Sequence, residues 1–167
     1  GKVRHFGVSN QNPMMMELIK TAVKQPLKVN QLQLSAAFTP SFEAGFHVNM
    51  EGPKAAVRDG SVFEYCRLTD TVIQAWSVLQ HGYFKGNFVG REEFAALNHV
   101  LNDLAKKYQV TPTAIALAWV LRYPGKMQAV IGTTKSQHVL EAGKAATVTL
   151  TRKEWYQIYL AAGNDLP

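Results

Sequence analysis

The residues best suited to chemistry stand in one stretch, Val130-Ile131-Gly132-Thr133-Thr134-Lys135. A β-branched run stops at glycine, two hydroxyls and a lysine follow, and residues 136–145 then read as a helix. A strand that ends in glycine and feeds a helix turns backbone N–H groups toward whatever sits above the strand end. Thr133, Thr134 and Lys135 add hydroxyl donors and a positive charge at that place. The combination suits a phosphate. Strand–glycine–helix joints are also common in α/β proteins as plain structure, so this stretch alone leaves both readings open.

Other reactive groups point nowhere so specific. No two of the five histidines stand at the i, i+4 spacing of a helical metal site, so no metal is expected. The single cysteine, Cys66, excludes an internal disulfide and reads as a small buried apolar group. Such cysteine usage fits a reducing, cytoplasmic setting. A net charge of +6 permits an anionic partner, but the 18 Lys and Arg are scattered. With no basic run or aromatic RNA motif, a nucleic-acid partner is not expected. No apolar run is long enough for a transmembrane helix and no signal-peptide pattern opens the chain, so no membrane role is expected.

The elements that must position the phosphate-like stretch alternate along the chain. Residues 2–8 form a β-rich run, stopped by Ser9-Asn10. Pro13 opens a helix over 14–23, with Asn10 or Asn12 available as its cap. Residues 27–35 read as a second strand around Asn30-Gln31, and 71–79 as a third. Between them, residues 36–60 read as a long loop with a possible helical turn at 53–57, and 61–68 as a short helix capped by Ser61 with Glu64 in a capping box. Phe38, Phe42 and Phe46 on that loop suit either a pocket wall or ordinary packing. After a glycine- and aromatic-rich loop at 80–90 come an amphipathic helix over 92–108 and an apolar one over 113–122. The fourth strand ends at Val130-Ile131. A final helix over 155–162 follows a Thr151/Glu154 capping box.

Four strands alternating with helices predict one α/β domain with a parallel sheet over residues 1–167. Ligands of such folds gather at the strand C-terminal ends. Ser9-Asn10, Gln31, Trp76-Ser77 and Gly132-Thr133-Thr134 are therefore expected on one face.

Those same residues carry a likeness. Gly7-Val8-Ser9-Asn10, Val29-Asn30-Gln31, Gln74-Ala75-Trp76-Ser77-Val78-Leu79 and Ile131-Gly132-Thr133-Thr134 occur in this order. In order and separation they resemble the fifth to eighth barrel strands of the aldo-keto reductases. The likeness covers essentially the whole chain. It implies the (β/α)8 TIM-barrel family, with this chain covering the C-terminal half barrel, where a full barrel takes about 250 residues. It also implies NADP(H) as cofactor and a small carbonyl compound as substrate of the complete enzyme. The family's catalytic Asp, Tyr, Lys and His come from the first four strands, so the resemblance assigns no catalytic residue here and implies a truncated, inactive half.

By the same resemblance Ser9, Asn10 and Gln31 would hold the nicotinamide carboxamide, and Trp76 would stack on its ring. Ser77, Val78, Leu79, Gly82 and Lys85 would clamp the pyrophosphate, with Val78 standing where the family usually has proline. Gly132, Thr133, Thr134 and Lys135 would take the adenosine phosphate, and Glu141 the adenine amino group. His138 falls where many relatives have arginine, which weakens the preference for NADPH over NADH. A half barrel would also expose two strand edges and an apolar inner face, and so is expected to join a separate N-terminal half or to self-associate. A non-catalytic nucleotide-binding or self-associating module is the alternative reading.

Overall fold

A computed structural model describes residues 1–46, 61–82 and 85–166. Four strands form a single sheet in sequence order: β1 (Phe6–Ser9), β2 (Leu27–Gln33), β3 (Val72–Trp76) and β4 (Met127–Ala129). Every neighbouring pair is parallel. The helices are α1 (Pro13–Ala22), α2 (Pro40–Phe46), α3 (Val62–Leu68), α4 (Ala95–Tyr108), α5 (Pro112–Leu121), α6 (Ser136–Gly143) and α7 (Arg152–Ala161), with short 3-10 turns at Glu92–Phe94 and Lys144–Thr147.

Side chains alternate across a strand, so register assigns two faces. One face presents Leu32, Ile73 and Ala75 to the helices, and these residues are buried with Leu101, Ile115, Trp119 and Ile158 in one core. Helix α5 is buried from Ala114 through Val120, which explains its nearly unbroken apolar sequence. The other face carries Ser9, Gln31, Gln74 and Gln128 in register. Gln31 donates to Gln74 at 3.4 Å and Gln74 to Gln128 at 2.9 Å. The inner face is thus a glutamine ladder, not the apolar surface expected, because amide side chains pair laterally at the strand spacing.

Local chemistry explains the element ends. Asn12, not Asn10, caps α1 by accepting from the Met15 N–H at 2.9 Å. Thr111 caps α5, and Thr151 with Glu154 forms the expected capping box on α7. Gly7 is required by close approach: a Cβ there would lie 2.7 Å from the Val29 Cβ.

Several boundaries differ from the sequence reading. The first strand spans Phe6–Ser9 rather than starting at residue 2. A helix, α2, occupies part of the expected loop, and buries Phe42 among Phe63, Tyr123 and Trp119 instead of lining a pocket. The turn expected at 53–57 lies outside the described residues. Ser61 precedes α3 but adopts a left-handed conformation (φ 62°) and makes no capping hydrogen bond. The third and fourth strands are shorter than expected for one shared reason. Ser77 turns left-handed (φ 52°) directly after Trp76. Val130 still donates to the Ala75 carbonyl at 2.8 Å, but β3 then leaves the ladder and Val130-Ile131 fall beyond the strand.

Candidate nucleotide-binding site

The strand C-terminal ends are shaped by two non-glycine residues in left-handed conformations, Asn10 after β1 (φ 54°) and Ser77 after β3 (φ 52°). Each such residue costs roughly 1 kcal/mol, and strain of this kind collects at functional sites. At the β1 end the Gln31 carbonyl accepts from the Ser9 hydroxyl at 3.1 Å and from the Asn10 N–H at 2.9 Å. Asn30, fully buried on the helix side, donates to the Gln11 carbonyl at 2.8 Å and accepts from its N–H at 3.4 Å. The loop holding Ser9 and Asn10 is therefore fastened both by the backbone of β2 and by its Asn30 side chain. Asn30 has no part in the resemblance-derived site; its signal was a polar side chain at a core-facing strand position.

A groove of about 680 Å³ lies where β3 and β4 end. Trp76, Ser77, Val78 and Leu79 form one wall and Gly132, Thr133, His138 and Glu141 the other. Val78 directs its side chain into the core, so it offers the groove only backbone. Gly132 faces open space, with nothing within 4 Å of a Cβ position. Among the described residues no side chain caps the N-terminus of α6, so its first-turn N–H groups carry no such partner there. Thr133 Oγ1 accepts from the Lys135 N–H at 3.2 Å and lies 3.3 Å from His138 Nδ1. Gln137 donates to Glu141 at 2.9 Å and orients its carboxylate.

Eight of the expected site residues thus line one groove. Ser9, Asn10 and Gln31 form a separate cluster, joined to β3 and β4 through the glutamine ladder. Thr134 and Lys135 stand exposed at the start of α6, outside the groove lining. Gly82 is buried with φ 145°, and the Lys85 side chain folds over it, 3.1 Å from a Cβ position there.

Asn98 is a positioning residue outside the expected set. Its Nδ2 donates to the carbonyls of Phe88, Arg91 and Phe94 at 3.0 to 3.1 Å, and its Oδ1 accepts from Gly90 at 2.8 Å. It pins the end of the loop that leaves β3. A lone asparagine on the leucine face of a helix was the visible signal.

The groove is suited to a polar occupant. Gln80, which lines the groove, has a buried Oε1 with no hydrogen-bond partner among the described residues, as does the Nε2 of Gln33 at the end of β2. Buried polar atoms left in this way favour a polar occupant. Cys66 fits no catalytic role: it is fully buried, and burial pushes its thiol up to about 11. No group of three metal-binding side chains occurs among the described residues. Among them too, no helix is long and apolar enough to cross a membrane.

Residues 1–161 match the aldo/keto reductase family model, and the chain belongs to that family. Its four-stranded parallel sheet is half of the family's (β/α)8 barrel. It is 32% identical to a 6-dehydroglucose reductase of Agrobacterium fabrum, over 99% of this chain and 49% of that protein. Two solved structures share its fold. The thermostable aldo-keto reductase Tm1743, in complex with the inhibitor epalrestat, aligns at TM-score 0.66 and 21% identity over 95% of this chain and 48% of that one. A Gox0644 mutant in complex with NADPH aligns at TM-score 0.62 and 20% identity, over 96% and 48% respectively. The chain spans about half the length of the curated relatives it matches.

Proposed function

We propose that this chain is the NADP(H)-binding, C-terminal half of an aldo-keto reductase, and that it turns over no substrate alone. The observation that carries the reading is the groove between Trp76-Ser77 and Gly132-Thr133, which α6 borders through His138 and Glu141. The N-terminus of that helix, beside Thr133, Thr134 and Lys135, favours a phosphate. Trp76 offers an aromatic face toward a nicotinamide ring. Gln31, Ser9 and Asn10 supply amide and hydroxyl groups to its carboxamide.

When bound, the cofactor supplies the hydride that reduces an aldehyde or ketone to an alcohol. This chain's residues hold and orient it. The general acid that protonates the carbonyl oxygen belongs to the other half of the barrel. Two features support completion by another half. Strands β1 and β4 are edge strands, and the helices beside them expose apolar side chains: Met14, Met15 and Leu18 on α1, Val139 and Leu140 on α6. Those same surfaces favour a second reading, a self-associating half barrel that binds nucleotide without catalysis. A gel-filtration mass of twice 18.5 kDa for the isolated chain would support it.

The test is a titration with NADPH, and with NADH as control, following tryptophan fluorescence. Saturable quenching stronger for NADPH, lost in Trp76→Phe and weakened in Lys135→Ala, is expected. Absence of binding up to about 1 mM cofactor, a Kd too weak for a working site, would overturn the cofactor assignment for the chain alone.

A further inference from the structure

A second cavity, of about 320 Å³, opens at the opposite end of the sheet. Tyr123 and Pro124, which line it, lead into the start of β4, whereas the nucleotide groove lies beyond that strand's end. Its wall is aromatic and preformed. Trp155 stacks on Trp119 with ring centroids 4.8 Å apart and on Tyr159 at 5.7 Å. Tyr123 is held between Phe42 at 5.6 Å and Phe63 at 4.9 Å, and Tyr156 meets Trp155 edge-on at 5.2 Å.

Three guanidinium groups surround that wall. Arg67 lies beside the Tyr123 hydroxyl, Arg122 donates its Nε–H to the Leu150 carbonyl at 2.9 Å, and Arg152 sits over the Tyr156 ring at 5.8 Å. None of the three is ion-paired among the described residues. Glu154, on the same turn as Arg152, does not neutralise them, because Lys107, Tyr108 and Thr151 occupy its oxygens. Among the described residues Glu64 is the single carboxylate lining the cavity. Three cations against one anion, over a rigid aromatic wall, match a ligand that is both flat and negative. The volume suits one ring or two fused rings.

We propose that this cavity binds a small planar anion, an aromatic or heteroaromatic ring bearing a carboxylate or phosphoryl group. The ring packs on Trp155, Tyr123 and Tyr156, and the anion meets the arginines. This site is independent of the nucleotide groove and does not rest on it.

Calorimetric titration of the full chain with 2-naphthoate tests the proposal, with phenyl phosphate as a second anion and uncharged 2-naphthamide as the shape control. Both anions should bind saturably, or one alone if the site separates carboxylate from phosphoryl sources. The amide should bind about tenfold more weakly, as should naphthoate to an Arg67→Gln/Arg152→Gln double variant. Lys135→Ala, at the nucleotide groove, should leave naphthoate binding unchanged. If the double variant melts early, Arg67→Gln alone, at an exposed position, should give about a threefold loss. Equal binding of naphthoate and naphthamide, indifference to the arginine variants, loss with Lys135→Ala, or no heat up to about 10 mM would each overturn the proposal.

Discussion

Trp119 and Trp155 exchange hydrogen bonds: each indole N–H donates to the other's backbone carbonyl at 3.0 Å, while the two rings stack at an interplanar angle of 10°. The pair ties α5 to α7 in the core, and neither residue is among those that line the nucleotide groove. Replacing Trp155 with Phe keeps the stacking but removes one donor and leaves the buried Trp119 carbonyl without it. The expected cost is about 1–3 kcal/mol, read as a lowered urea midpoint. An unchanged midpoint would mean that the reciprocal bonds add nothing beyond ring burial. The same variant should leave the cofactor-induced quench intact, since that signal is assigned to Trp76.

Glu154 is a carboxylate whose ionisation depends strongly on the fold. Burial alone would raise its pKa, but Lys107, the Thr151 N–H, Tyr108 and the Thr151 hydroxyl overcome that effect and bring it from 4.5 to about 2. A carboxylate with a depressed folded pKa contributes stability that is complete above its unfolded value and is lost as pH falls through the folded one. Stability should therefore decline between pH 4.5 and about 2 as this group titrates. In Glu154→Gln the decline in that window should be shallower, and stability at neutral pH should fall by about 1–3 kcal/mol. Urea melts at pH 7 and pH 3 on both proteins check the sign. Parallel acid profiles would remove Glu154 from the account.

Asn98 should matter to the loop more than to the helix that carries it. Leucine at this position satisfies the core face of α4 but abandons three carbonyls and the Gly90 N–H. A cost of about 2–4 kcal/mol is expected for Asn98→Leu, with amide exchange accelerated at residues 85–91 and much less along α4. NADPH affinity should fall as well, because the same loop carries Lys85 and leads away from Ser77. Faster exchange confined to α4 would show that the side chain serves the helix rather than the loop.

The alternation of parallel strands and helices was legible from periodicity and caps. Asn12, Thr111 and the Thr151/Glu154 box act through contacts within three residues in sequence, so sequence spacing suffices to find them. Val130-Ile131 show the opposite case. Their β-branched side chains suit a strand, yet the ladder ends because Ser77, more than fifty residues earlier, turns left-handed. The same limit hid the polar inner face: Gln31, Gln74 and Gln128 stand 43 and 54 residues apart in sequence, and only register places them side by side. Within the candidate site, Trp76, Ser77, Gly132 and Thr133 were found by motif, whereas Asn30 and Asn98 act by gripping loops distant in sequence.

His138 offers the sharpest handle on cofactor choice. It lines the groove, its Nδ1 lies 3.3 Å from Thr133 Oγ1, and its ring is exposed at the start of α6. An imidazole presents at most one donor on each ring nitrogen and no two-pronged fork. A guanidinium presents a planar fork and keeps its charge, which suits a phosphate monoester on the ribose. His138→Arg should therefore tighten NADPH binding about three- to tenfold and leave NADH within about twofold, both read by fluorescence titration. The gain should shrink as salt is raised, because the added contact is exposed and screened. Equal tightening of both cofactors would place the new charge on the pyrophosphate they share, and the 2′-phosphate would then have to be held by Lys135 or by neither.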